Sequence, residues 1–136
     1  MRMNPYLMFD GNCEAAFEQY QKVLGGTLEA MKFAGSPAEG QVGPEWKDKV
    51  LHARLEFDGQ VLMGSDGPRP GGVEKAHGFS VNLTIDDATE AERVFNALLE
   101  GGKAYMPFAP TFWAEKFGML VDRFGVPWMV NCQIKA

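Results

Sequence analysis

Hydrophobic positions along the chain switch between a period of two and a period near 3.6, and the switches come in the same order twice. Residues 3–9 (MNPYLMF) read as a short strand with Pro5 near its start. Asp10-Gly11-Asn12 is turn chemistry, and Asn12 is placed to cap a helix. Across 13–24, Ala16, Phe17, Tyr20, Val23 and Leu24 recur at helical spacing, and Gly25-Gly26 stops the run. Residues 27–33 read as a strand. The Gly/Pro-rich stretch 34–48 reads as a long loop that offers Trp46 as a lid or dimer contact. Residues 49–57 alternate, with Leu51, Ala53, Leu55 and Phe57 on one side and His52, Arg54 and Glu56 on the other. Asp58-Gly59 signals a hairpin, residues 60–65 return, and GPRPGG at 67–72 reads as a linker.

The second half repeats the order. Residues 78–86 alternate, with Val81, Leu83 and Ile85 opposite Ser80, Asn82 and Thr84. Asp86 or Asp87 caps a helix over about 88–100, which Gly101-Gly102 ends. Strands follow near 103–109, 115–123 and 127–134, with Phe124-Gly125 in the last turn. Glu14-Ala15 to Gly25-Gly26 aligns without gaps to Glu90-Ala91 to Gly101-Gly102, and LEFDGQVLMG aligns with VDRFGVPWMV through Gly59 and Gly125.

This pattern predicts an α+β fold of two βαβββ modules in one domain. Module one covers about 1–66, a linker 67–76 and module two about 77–136. One helix covers one face of each small sheet. The other faces curl to enclose a pocket. The polar alternates fit such a hollow, because buried hydroxyls and amides without partners cost a few kcal/mol each. Met129, Asn131 and Gln133 form the matching polar side of the last strand.

Composition narrows the class. Apolar residues make up 46% and charged residues 23%, enough for a packed core. A net charge of −5 argues against nucleic acid as a partner. No apolar run of membrane-spanning length occurs, and the first residues lack the pattern of a signal peptide, so the cytoplasm is the default location. Cys13 and Cys132 read as reduced, packed thiols.

Candidate chemistry is sparse. His52 and Arg54 lie about 7 Å apart on one strand face and reach one ligand together; His52 and Glu56, about 13 Å apart, cannot share a metal ion. His52 is the candidate proton-transfer residue. Candidate ligand contacts are Arg54, Glu56, Met63, Ser65, Ser80, Asn82, Trp113, Met129 and Asn131. The Asp86-Asp87 pair reads as helix capping. His77 reads as a surface residue.

Four segments resemble one family: PYLMFDGNCEAAFEQY, VLHARLEFDGQVLMGSD, HGFSVNLTIDDATEAERVFNAL and FWAEKFGMLVDRFGVPWMVN. The chain resembles the vicinal oxygen chelate (glyoxalase/bleomycin-resistance/dioxygenase) superfamily, in its PhnB-like branch, whose members often carry the label 3-demethylubiquinone methyltransferase. The resemblance implies a glyoxalase-like fold and a homodimer. It also implies metal positions near Met3, Met63, Ser80 and Met129, none a good ligand for a hard divalent ion. The chain therefore departs from the superfamily's chelating set, and no metal or other cofactor is expected. Nor does a strand–GxGxxG–helix unit occur, as a nucleotide-like methyl donor usually needs. Three readings stand: a small-molecule binding protein, an enzyme of the glyoxalase/dioxygenase type that uses a metal or His52 as general base, or a structural module without a ligand.

Overall fold

The computed structural model describes residues 1–133. They divide into two compact units, Met1–Glu74 and a second that begins at Lys75. In the first, strand β1 (Tyr6–Phe9) leads into helix α1 (Cys13–Leu24), then β2 (Thr27–Lys32), β3 (Val50–Phe57) and β4 (Gln60–Asp66). The second repeats this with β5 (Val81–Thr84), α2 (Ala88–Leu99), β6 (Lys103–Ala109), β7 (Ala114–Val121) and β8 (Pro127–Gln133). The last strand was expected to reach 134, which lies outside the described residues. The sheets have equivalent orders, β1-β4-β3-β2 and β5-β8-β7-β6, with the first strand of each parallel to the last and the remaining pairs antiparallel. This is the expected α+β pair of βαβββ modules.

Each helix covers its own sheet. Cys13, Ala16, Phe17, Tyr20 and Val23 of α1 are buried, and α1 packs on β2, β3 and β4. Ala91, Val94, Phe95 and Leu98 of α2 are buried, and α2 packs on β6, β7 and β8. Each helix lays an aromatic ring over a strand glycine. A Cβ at Gly64 would meet the Phe17 ring at 2.7 Å, and one at Gly118 would meet the Phe95 ring at 2.6 Å. These contacts fix which strand residues face the helices.

Several sequence expectations need correction. Asn12 makes no side-chain cap; the Asp66 carboxylate instead accepts the Gly11 and Cys13 N–H groups, at 2.8 and 3.0 Å. In α2, by contrast, Asp87 caps the Thr89 and Glu90 N–H groups as expected. Trp46 is no lid. It is buried in a short 3₁₀ turn (Pro44–Trp46), and its indole N–H donates to the Gly67 carbonyl. The gapless helix alignment also fails. It would set buried Ala16, Phe17 and Tyr20 against exposed Glu92, Arg93 and Asn96. The final hairpin carries one extra residue: Leu55 pairs with Leu62, whereas Leu120 pairs with Trp128. Element order repeats; residue spacing does not. Finally, Met3 precedes β1 and is almost fully exposed, and Ser80 precedes β5, so neither lies in a strand.

Candidate functional site

In module one, Gly64 faces α1, so its neighbours Met63 and Ser65 point to the opposite, helix-free face. Register sets Tyr6, Met63, Arg54 and Glu29 in one row across β1, β4, β3 and β2. Two residues along, Met8 pairs with Ser65 and His52 with Met31. The Tyr6 hydroxyl lies 3.3 Å from His52 Nδ1, and the two rings stand 5.8 Å apart at 33°. Arg54 donates to Glu56 at 2.8 Å in an exposed ion pair, a type of pair worth at most about 1 kcal/mol. Ser65 is buried, and its hydroxyl lies 3.8 Å from Met8 Sδ. His52, Arg54 and Met63 are half-buried, and Glu56 is exposed.

In module two, Gly118 faces α2, which puts Met119 and Phe117 on the helix-free side. One row joins Asn82, Met129, Met119 and Met106; the next joins Thr84, Asn131 and Phe117. Asn82 donates to the Thr84 hydroxyl at 3.2 Å. Phe117 continues into an aromatic cluster with Trp113 at 5.5 Å, and Trp113 meets Phe112 at 4.8 Å. Asn131 Oδ1 is buried without a hydrogen-bond partner among the described residues. Such an oxygen costs on the order of 1–3 kcal/mol.

Most sequence candidates therefore share a helix-free face within their own module: His52, Arg54, Glu56, Met63 and Ser65 in one, Asn82, Met129 and Asn131 in the other. Trp113 reaches that side through Phe117. Ser80 stands apart, just before β5. Sequence reasoning missed Tyr6, whose register with Met63 depends on the parallel β1–β4 pairing.

It also missed two buried carboxylates. Asp66 holds three segments together, accepting Gly11 N–H, Cys13 N–H and Val50 N–H. Asp122 closes the β7–β8 hairpin through the Phe124 and Val126 N–H groups and the Trp128 indole, each at 2.9 Å. The one available signal was an acid placed directly at a strand end. Beside Asp66, burial, the Asp66 charge and the Glu14 charge, in that order, push the Cys13 thiol far above its ordinary range.

The chelating positions do not fit a hard divalent ion. Met63 and Met129 are thioethers, and their strand partners Tyr6 and Asn82 supply a phenol and an amide. Among the described residues, no group of three His, Cys, Asp or Glu could hold a metal. An open recess of about 460 Å³ lies at the start of α1, lined by Gly11, Glu14, Lys32, Lys49 and Asp66 among others. Both of its lysines are engaged internally: Lys32 pairs with Glu14, and Lys49 donates to the Gly11 carbonyl.

Known proteins are similar to this chain in sequence and fold. A family model described as 3-demethylubiquinone-9 3-methyltransferase matches residues 1–131. Protein YjdN of Escherichia coli (strain K12) is 38% identical, over 96% of this chain and 95% of its own. The structure of protein PA1353 from Pseudomonas aeruginosa is 51% identical with a TM-score of 0.87, covering 98% of each chain. A PhnB protein from Bacillus cereus is 25% identical with a TM-score of 0.79, covering 97% of this chain and 99% of that one. At lower identity, a glyoxalase/bleomycin resistance protein/dioxygenase from Nocardioides and the fosfomycin resistance protein FosX from Listeria monocytogenes share the fold. The chain belongs to the 3-demethylubiquinone-9 3-methyltransferase-like, PhnB-like family, and its fold is glyoxalase-like.

Proposed function

We propose that the chain is a small-molecule binding protein, without the superfamily's usual metal, whose ligand lies against a helix-free sheet face. The observation that carries this reading is the polar and thioether content of those faces. A β-sheet face that served only as dry core would carry aliphatic side chains, as the helix-covered faces do. Here His52, Arg54 and Ser65 accompany Met63, and Asn82 and Asn131 accompany Met129. The thioethers adapt to irregular apolar shapes, and the polar groups fix orientation. Asn131 Oδ1, buried without a partner among the described residues, adds an unused acceptor to the face of module two.

The methyltransferase wording of the family does not assign a reaction to this chain. Asp66-Gly67 and Gly71-Gly72 open no helix; the segment runs from β4 to β5 without one. A C2 homodimer in the cytoplasm completes the reading, since C2 pairing is the commonest assembly. No helix among the described residues is long and apolar enough to cross a membrane.

A fragment screen of small aromatic and carbonyl compounds tests the reading, followed by titration of His52→Ala and Asn82→Ala. A hit on the face of module one is expected to be weakened about tenfold, or roughly 1.4 kcal/mol, by His52→Ala, and a hit on the face of module two by Asn82→Ala. Hits that bind both variants unchanged would place the site elsewhere. A second reading makes His52 a general base, and its half-buried place on the helix-free face beside Arg54 favours it. Turnover that survives His52→Ala would remove that reading.

A further inference from the structure

We infer that Tyr6 is a positioning residue that holds neutral His52 in its Nε2–H form, so that His52 meets a ligand as a hydrogen-bond donor. The inference rests on the reading that the helix-free face of module one touches ligand, and it names what that ligand must bring there: an acceptor, such as a carbonyl or carboxylate oxygen.

Tyr6 is fixed by the parallel pairing of β1, which sets it beside Met63. From there its ring reaches over β4 to His52 on β3. The hydroxyl stands 3.3 Å from Nδ1, within hydrogen-bond distance. Neutral imidazole has one N–H and one bare nitrogen. A phenol, with a pKa near ~10, is much the more acidic partner, so its O–H donates and Nδ1 accepts. The ring proton then sits on Nε2. The His52 ring has no other hydrogen bond among the described residues, so Nε2–H is left to be used.

Its same-face neighbour Arg54 carries only N–H donors, of which Nη1 is taken by Glu56. Two adjacent donors suit an acceptor-rich ligand edge. The same geometry weakens the general-base reading: a base at Nε2 would need that nitrogen bare, and the Tyr6 bond keeps it protonated. Tyr6 is thus a specificity element as well as a surface aromatic.

Long-range proton–nitrogen NMR of the histidine rings, at a pH where both are neutral, tests this without any ligand. His77, which makes no such contact among the described residues, is the internal reference. The His52 nitrogens are expected to be separated more widely than those of His77, with Nε2 the protonated one. Tyr6→Phe should shrink the separation to the His77 value while leaving the backbone spectrum in place. A protonated Nδ1 in the parent protein, or an unchanged pattern in Tyr6→Phe, would overturn the inference. Benzoate and benzamidinium then probe the ligand side. Preferential perturbation of the His52 ring by benzoate supports the donor role; preference for benzamidinium contradicts it. If neither reaches His52, the reading of the face fails while the ring form still stands on the first measurement.

Discussion

Met63 and Met129 occupy the same register position in their modules, each in the last strand beside the first, but their surroundings differ. Met63 lies between Tyr6 and Arg54; Met129 lies between Asn82 and Met119. Next along, Ser65 sits beside Met8 and Asn131 between Thr84 and Phe117. Module one thus carries the ionisable groups, and module two carries thioethers, amides and rings. The backbone plan is shared because hydrogen-bond ladders and helix cover decide it. Helix-free side chains are not needed for that plan, so their chemistry diverged. The helix-covered layer diverged too, but under a volume constraint. The glycine below a helix aromatic lies in β4 of module one, opposite Ala53, and in β7 of module two, opposite Val130.

The anchors differ in the same instructive way. Asp66 joins groups 16, 53 and 55 residues away, whereas Asp122 joins groups 2, 4 and 6 residues away. Asp66→Ala should be the most damaging single change. It strands the N–H groups of two separate segments, for a loss on the order of 3 kcal/mol or more in denaturant unfolding. Asp122→Ala should cost less, about 2 kcal/mol, because the N–H groups it strands lie within one hairpin rather than in distant segments. Equal losses would refute the distinction between a long-range clamp and a local one.

Glycine substitution sharpens the comparison further. Gly64→Ala brings a Cβ to 2.8 Å of the Leu7 carbonyl as well as against the Phe17 ring. Gly118→Ala meets the Phe95 ring at 2.6 Å and Phe108 Cα at 3.0 Å. Both are overpacked, by roughly 1–3 kcal/mol. Gly64→Ala should lie at the upper end, because a ladder carbonyl cannot rotate away. Thermal unfolding of the two variants gives the order directly.

Smaller effects concern the thiol in module one. Cys13 is fully buried, and its raised pKa keeps it protonated in the fold. An unfolded cysteine releases its proton near pH ~8.5. The fold's advantage from this source is therefore complete below that pH and is lost as pH rises above it. Native protein at pH 8 should resist thiol reagents at Cys13 and at buried Cys132, and react at both once unfolded. Rapid labelling of folded protein would contradict the burial.

Much of the fold was legible because period and punctuation are local. The stripe in 13–24, the alternation in 50–57 and the glycine pairs gave elements whose bounds the structure moved by a few residues at most. The face assignment of Val81, Leu83, Asn82 and Thr84 was legible for the same reason. What escaped depends on pairing across the sheet. Nothing near Asn12 shows that Asp66 will satisfy its turn. Nothing near Trp46 shows that Gly67 will accept its indole N–H. Tyr6 joins His52 only after β1 docks beside β4 in parallel. The hairpin insertion also hid from alignment, because Gly125 matched Gly59 while the ladder around it moved by one position.

Amide and methyl chemical-shift mapping, with the strongest hit from the fragment screen as titrant, tests the central claim most directly. The account predicts that perturbed signals gather on a helix-free face, at His52, Met63 and Ser65 of module one or at Asn82, Met129 and Asn131 of module two, with the buried faces of α1 and α2 unmoved. Shifts centred on the recess at the start of α1, or spread along the outer helix surfaces, would contradict it.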